Sequence, residues 1–454
     1  MTAAGLAGLV AGVAVLVGAI AATVLWRPGA VLGGKAPVRK IVLVSIDTLR
    51  ADFLSSYGYA KSTTPRIDAF AEDALLFERA TVPSPWTAPS MAAMITGRYP
   101  LETEVYTNQN HLKRGLNSMA DTLSKAGLAT AWFNTNPVLM LGDSAFREGF
   151  AHVEPAARFT AKLPFSKLEA SVDAWLEKHA DGDFFLWLHN MDPHSPPTEG
   201  NPHHQNKQWT TYEGEVRLVD DTMGRLFDKL KSLGIWDETL VIFTADHGEA
   251  FSEHMLPGHQ NVIYDEVLHV PMIIRSPGMA TRGRTDEPVE LIDLYRTILE
   301  LAQVEVPAGV RGESLVPILD GRATRRQQEY SFHSRYYFKN QQQHWLAVRD
   351  REYKLIAKVP FEVDPKVNMI QQRPTWSLDQ PGTTLELYRY ADDPREQVNL
   401  IFVGADPSVA ERLKGALLAW RDRMAGRTEA TTDTAIELDD KTRDALRKLG
   451  YDGN

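Results

Sequence analysis

The sequence predicts an α/β protein: a mainly parallel sheet covered by helices on both faces, followed by a small α+β second domain. Three observations carry this. "KIVLVSI" (40–46) is a continuous β-branched run of the kind found in strands buried on both faces. Similar runs alternate with segments of helical spacing as far as residue 302, the pattern of a parallel sheet with crossover helices. From about residue 325 the pattern changes to short strands around turns and one amphipathic helix. The 454 residues, 43% hydrophobic and 24% charged, have an ordinary globular composition.

Taken in order, residues 3–26, "AAGLAGLVAGVAVLVGAIAATVLW", carry no charge and have the length of a bilayer-crossing helix. They predict a membrane anchor or a signal segment. "AIA" at 19–21 resembles a peptidase site, although a positive n-region is missing. Arg27, Lys35, Arg39 and Lys40 follow the segment, and on the positive-inside rule they argue against export of the rest. A Gly/Pro-rich linker, 28–37, closes this N-terminal part, residues 1–37. Expected strands then lie at 40–46, 128–133, 183–188, 239–244 and 271–275. Expected helices lie at 65–77, 118–126, 167–179, 211–233 and 289–302, and together these make a catalytic domain over 38–324. Beyond it, "HWLAVRDREYKLIAKV" (344–359) reads as two strands around a turn, "ELYRYADDPREQVNLI" as a strand and loop, and 406–424 as a helix. These form a small subdomain with a helical tail, 325–454.

Charge and composition exclude several function classes. The formal net charge of -10 is spread along the chain, whereas a nucleic-acid partner needs a basic face. There is no cysteine, which removes disulfides, thiolate metal sites, a lipoprotein anchor and a cysteine nucleophile.

Sheets of this type place ligands beyond the carboxyl ends of their strands, so the polar residues there matter most. Asp47 follows the first strand, and Asp246 and His247 follow "VIFTA" in the same way. A lone Asp after a strand is commonly a helix cap. An adjacent Asp-His pair has no such turn-forming need, and it offers two metal ligands. In "SPWTAPSMAAMITGR" (84–98), Thr87 stands where an extended segment turns into a helix that stops at Gly97. Asp47, Thr87, Asp246 and His247 make a four-ligand set in which a metal would lower the pKa of the threonine hydroxyl and make it a nucleophile. The backbone N–H groups of the helix that begins at Thr87 are expected to help hold an anion. A second polar cluster, "HNMDPHSPP" (189–197), contributes His189, Asp192 and His194. "FSEHMLPGHQ" contributes His254 and His259, of which His259 is preferred. These imidazoles suit oxyanion binding or protonation of a leaving alkoxide.

"VSIDTLRAD", "TTPRIDAFAEDALLFERATV", "PWTAPSMAAMITGRYP", "LHNMDPHSPP", "TADHGEAFSEH", "VPMIIRSPG", "VRGESLVPILDG" and "ELYRYADDPREQVNL", in this order, resemble the sulfatase family of the alkaline phosphatase superfamily. The resemblance runs from about residue 38 to 400. It implies an alkaline phosphatase-like α/β sandwich with a small C-terminal antiparallel sheet, and metal-assisted attack on a sulfate or phosphate ester through a covalent intermediate. Asp47, Asp246 and His247 match family metal ligands. Thr87 falls where family members carry the Cys or Ser that is oxidised to formylglycine. Here the motif reads Thr87-Ala88-Pro89-Ser90-Met91, with Met91 in place of an Arg, Thr48 in place of a second Asp, and Asn134 to Asn136 near a family Lys-x-His pair. Formylglycine chemistry is therefore not expected. Threonine nucleophiles are familiar in superfamily members that transfer lipid headgroups, which this chain resembles in Thr87, His194 and His259.

The reading is thus a metal-dependent hydrolase or phosphotransferase acting on phosphate, phosphodiester or sulfate esters. Thr87, His194 and His259 are the catalytic residues, and His189, Asp192 and Asn136 bind substrate. One divalent ion is implied, zinc or manganese before calcium or magnesium, with a second ion left open. The substrate is an anionic ester of a glycan, lipid headgroup or small molecule, whose alcohol part is set by loops at 102–115, 198–210 and 330–345. The expected location is extracytoplasmic, periplasmic or cell-surface, membrane-anchored or secreted. Two alternatives are a sulfuric ester hydrolase working without formylglycine, and a degenerate member that only binds an anionic ligand.

Overall fold

The computed structural model describes residues 36–141, 145–155, 162–259, 262–323, 325–326, 330–337, 343–361, 376–425 and 439–449. The apolar run 3–26 and linker positions 28–35 lie outside the described residues. Among those described, no helix is long and apolar enough to cross a membrane. The chain from Val38 onward is one compact unit, built on two sheets.

The large sheet has eight strands: β1 Lys40–Ile46, β2 Leu75–Thr81, β3 Ala129–Asn134, β4 His152–Glu154, β5 Phe184–Asn190, β6 Thr239–Ala245, β7 Met272–Arg275 and β8 Gly283–Glu290. Their order is β4-β3-β5-β1-β6-β7-β2-β8. All neighbours are parallel except β7, which runs antiparallel to both β6 and β2. Side chains along a strand alternate between faces, so burial at every position of β5 and β6 means that both faces are covered. The covering helices include α1 Pro65–Glu72, α2 Thr87–Thr96, α3 Met119–Lys125, α4 Glu169–His179, α5 Thr211–Ser232 and α6 Asp293–Leu301. Phe70 of α1 stacks on Phe227 of α5 at 4.7 Å. Tyr295 of α6 meets Thr122 of α3 through their hydroxyls at 3.0 Å.

The helix expected over 65–77 is a correction. It stops at Glu72, and Leu75–Thr81 is β2. Leu75, Leu76 and Phe77 continue the helical spacing of Ile67, Phe70 and Ala71, but pairing with Ile274, Ile273 and Met272 of β7 decides their conformation. β4 and β8 escape the sequence pattern for another reason. β4 has only three residues, and β8 is a polar edge strand interrupted by Pro288.

The small sheet is antiparallel throughout, in the order β12-β11-β10-β9. Its strands are β9 Ser331–Tyr337, β10 Gln343–Arg349, β11 Lys354–Pro360 and β12 Thr384–Tyr388. Helix α7, Pro407–Ala425, buries Leu413, Leu417 and Trp420, and Trp420 stacks on Phe332 of β9 at 4.9 Å. The same strand reaches the large sheet. The His333 ring donates from Nδ1 to the Val82 carbonyl (2.7 Å) and Ser334 N–H donates to the Pro83 carbonyl (2.9 Å), which holds the segment leading into Thr87.

Candidate active site

Strand register assembles the site. Ile46 lies beside Ala245 on one side and Asn190 on the other, so the residues one step further, Asp47 and Asp246, emerge side by side. Asp47 N–H continues the ladder to the Asn190 carbonyl (2.8 Å), and Asp246 N–H to that of Ile46 (3.3 Å). On the next strand Asn134 pairs with His189, which brings the 134–136 turn to the same edge. Thr87 arrives from the other side at the first position of α2. Ser90 fastens this helix by donating its hydroxyl to the Asp246 carbonyl at 2.6 Å.

The four expected ligands meet in a fully buried cluster. The Thr87 hydroxyl is 3.3 Å from His247 Nε2, and that nitrogen lies 3.7 Å from Asp47 and 3.5 Å from Asp246. His247 donates from Nδ1 to the Gly248 carbonyl at 2.9 Å, which leaves Nε2 without a proton and able to accept. Only glycine fits at 248, because a Cβ there would stand 2.1 Å from the Glu266 carbonyl oxygen.

The cluster's electrostatics call for a cation. Burial raises the Asp47 carboxyl, but His194, the hydrogen-bonding His189 and His247 outweigh it and hold the group well below its ordinary range. Burial and the charge of Asp47 push Asp246 far above that range. Burial and the neighbouring His259 bring His247 down to about 3, so it is neutral. The protein alone thus leaves two buried carboxylates competing for one negative charge, and Asp246 Oδ2 has no hydrogen-bond partner among the described residues. Two carboxylates, a hydroxyl and a bare imidazole nitrogen fit a divalent metal.

His189 sits inside this cluster rather than at a separate substrate face: its ring nitrogens, Asp47 and Asp246 present atoms within 4.8 Å of one another. Its surroundings make it a donor more than a ligand. Ser45 accepts from the Trp187 indole (2.9 Å), and its own proton faces His189 Nδ1 at 2.8 Å. His189 Nε2 is then the N–H that faces Asp47 Oδ2 at 3.8 Å. The Asn136 side-chain amide donates to the same oxygen. Both residues therefore fix the orientation of the Asp47 carboxylate.

His194 and His259 flank the cluster. Their rings are 5.3 Å apart, and that of His259 is 4.4 Å from His247. His194 donates from Nδ1 to the Ser195 carbonyl, and burial lowers its pKa. His254 turns away, pairing with Glu266 at 2.8 Å and stacking on Tyr264. Asp192 also faces elsewhere. Its carboxylate accepts the Phe165 N–H (3.2 Å) and lies 3.4 Å from the Thr198 hydroxyl, and burial raises its pKa to about 6. Lys162 completes that structure by donating to the carbonyls of His194 and Pro196, both at 2.7 Å.

The N–H groups that follow Thr87 at the start of α2 are taken within the protein. Ala88 N–H donates to Asn108 Oδ1 (2.9 Å), Pro89 has no N–H, and Ser90 N–H bonds the Trp86 carbonyl (3.0 Å). Sequence reasoning gives no role to Asn108, Ser45 or Glu249, although Ser45 and Glu249 stand within "VSIDTLRAD" and "TADHGEAFSEH"; the contacts of all three depend on packing. Met91, in the position of the family Arg, is fully buried among apolar side chains.

The comparisons with known proteins agree with this architecture. The sulfatase family pattern matches residues 39–304, more than half of the chain, and the C-terminal pattern of N-sulphoglucosamine sulphohydrolase matches 254–369. An ulvan-active sulfatase of Formosa agariphila is 25% identical over 62% of this chain, and the match spans 64% of that relative's own length. Among solved structures, the phosphonate monoester hydrolase of Agrobacterium radiobacter superposes with a TM-score of 0.69 at 20% identity, covering 89% of this chain and all of that one. A protein solved with its substrate D-glucosamine-2-N,6-O-disulfate superposes with a TM-score of 0.70 at 17% identity, covering 87% of this chain and 99% of the other. The fold is alkaline phosphatase-like, a mixed eight-stranded sheet between helices with a small antiparallel sheet beside it. Among proteins of this fold, the chain belongs to the sulfatase family.

Proposed function

We propose that the protein is a metal-dependent hydrolase or transferase of sulfate or phosphate esters whose nucleophile is Thr87. The observation that carries this is the Thr87 hydroxyl 3.3 Å from the bare Nε2 of His247, beside the carboxylates of Asp47 and Asp246. A divalent cation held by Asp47, Asp246, His247 and Thr87 would supply the charge that lowers the hydroxyl's pKa and offsets charge on the transferring group. Zinc or manganese suits this donor set best.

The chain's own residues then divide the work. Thr87 Oγ1 gives its proton to a neighbouring imidazole and attacks the sulfur or phosphorus while the bond to the substrate alcohol breaks, and the alcohol leaves with that proton. His194 and His259 flank this space, and Nε2 of His259 takes the Thr87 proton and returns it to the leaving alcohol. His189 and Asn136 keep Asp47 in position. A threonyl ester has no second hydroxyl on its β-carbon, so it is resolved by attack of water or another alcohol on the sulfur or phosphorus. Water makes the enzyme a hydrolase, and an acceptor alcohol makes it a transferase.

Sulfated glycans are one substrate class, supported by the ulvan-active relative and by the disulfated glucosamine in the structural neighbour. Phosphate and phosphonate esters are the other, supported by Thr87 in place of a convertible residue and by the phosphonate hydrolase neighbour. Residues 38–324 form the catalytic domain and 325–454 the smaller subdomain in this reading. The uncharged run 3–26 anchors it to a membrane or directs its secretion, which places it outside the cytoplasm.

Nitrophenyl sulfate, phosphate monoester, phosphate diester and phosphonate, assayed side by side with Zn or Mn, identify the class. Thr87→Ala is expected to lower turnover of the preferred ester by about 10⁴-fold or more. Unchanged turnover in that variant would remove Thr87 from the mechanism.

A further inference from the structure

The stretch from Glu249 to His259 is a loop whose two stems are joined at the base. Phe251 and Pro257 form an isolated antiparallel bridge, and Gly258 N–H donates to the Ala250 carbonyl at 2.9 Å. Gly258 has φ +84, a backbone state that a side chain rarely adopts, and this lets the second stem return onto the first. The next residues outward on the two stems are therefore Glu249 and His259, ten apart in sequence and opposite each other in space. Both Glu249 carboxylate oxygens lie 3.2 Å from His259 Nδ1. The carboxylate is buried together with the ring, at side-chain exposures of 13% and 5%.

Glu249 is itself held. Arg50 donates to its carbonyl oxygen at 3.0 Å and to the carboxylates of Asp52 (2.9 and 2.8 Å) and Glu253. The Arg50 guanidinium also lies over the rings of Phe53 and Phe251, at 5.0 and 5.2 Å. An arginine fixed on three sides makes the first stem a rigid support. The arrangement matches a carboxylate–imidazole pair, in which a carboxylate accepts the hydrogen bond of one ring N–H and so fixes the direction of the other nitrogen.

We propose that Glu249 is a positioning residue for the ester-transfer reaction: it acts only through His259, by fixing that ring so that Nε2 faces the group transferred to Thr87. This rests on the reading of the site given above. A side chain that works through another makes a clear thermodynamic prediction, because its removal has no effect once the second is gone.

The test is a double-mutant cycle on the metal-loaded, full-length protein. Glu249→Ala is expected to lower kcat about 10- to 100-fold with KM within about threefold, in the range seen when a carboxylate partner of a functional histidine is removed. The Glu249→Ala/His259→Ala double variant is expected to match His259→Ala alone within about twofold. Glu249→Gln, which keeps the shape and one acceptor oxygen, is expected to recover part of the loss, and it replaces Glu249→Ala in the cycle if thermal unfolding shows that variant misfolded. Additive losses in the double variant, or unchanged kcat in Glu249→Ala, would overturn the proposal. Thr87→Ala separates this result from the parent reading: if it abolishes turnover while the cycle is additive, the nucleophile stands and only the role of Glu249 falls.

Discussion

The protein treats two of its fully buried carboxylate pairs, Glu290 with Asp293 and Asp47 with Asp246, in opposite ways. Glu290 and Asp293 receive a cation from the chain itself: Arg326 lies 2.9 Å from Asp293 and 3.8 Å from Glu290, with Tyr99 donating to Glu290 at 2.9 Å. Lys354 fills the same role between Asp265 and Glu396, at 3.1 and 2.9 Å. Asp246, by contrast, has only His247 as an ion-pair partner among the described residues, and that imidazole is neutral. Asp47 faces His189, His247 and Asn136. A buried carboxylate with an arginine beside it is part of the scaffold. A pair facing imidazoles and an amide suits the divalent ion of the proposed function, because an uncompensated buried charge is costly.

The contrast can be broken from either side, beginning with the largest expected effect. Arg326→Met removes the internal cation of the first pair and leaves two carboxylates buried. It is expected to destabilise the fold by about 3–5 kcal/mol in urea unfolding, with kcat of the folded fraction nearly unchanged. A similar loss of kcat without loss of stability would move Arg326 into the site. At the second pair, chelation is expected to abolish turnover and lower Tm. Re-addition of Zn or Mn at about 100 times its Kd should return roughly 2.7 kcal/mol of stability. A melting temperature indifferent to metal and chelator would contradict the claim that Asp47 and Asp246 need a cation.

The smallest effect concerns Asp192, which the structure moves from the site to the scaffold. Its folded pKa of about 6 exceeds the ordinary 3.8 because of burial. Stability from its proton is thus fully present below pH 3.8 and is lost as pH rises through about 6. Asp192→Asn, which keeps an acceptor for Phe165 N–H, removes this dependence. Relative to wild type its stability is expected to rise between those pH values by an amount on the order of 2–3 kcal/mol. Tm measured against pH for both proteins checks this, and parallel curves would return Asp192 to solvent or to the site.

The same contrast explains what the sequence made legible. Asp47, Asp246 and His247 were readable because they directly follow strands with a clear hydrophobic pattern, and parallel strands deliver their C-terminal residues to one edge. Thr87 was readable from the change of pattern at a helix start. Contacts that no sequence pattern carries depend on register and on return of the chain. His189 joins the ligand cluster because β5 pairs with β1 in one register, and Glu249 meets His259 only once the loop between them closes. β2 was misread as helix for a related reason, since its apolar run fits both periods until β7 pairs with it. That Asn108 takes the Ala88 N–H at the start of α2 was likewise invisible in the sequence, because the two residues lie 20 apart.

The most direct test of the account is to find the transferred group on Thr87. A slow ester substrate is turned over by the metal-loaded enzyme, the reaction is quenched in acid, and the peptide spanning residues 84–98 is examined by mass spectrometry. The account predicts one added sulfo or phospho group on Thr87, absent in Thr87→Ala and absent after chelation. A turning-over enzyme that carries the group on another residue, with Thr87 unmodified, would contradict it.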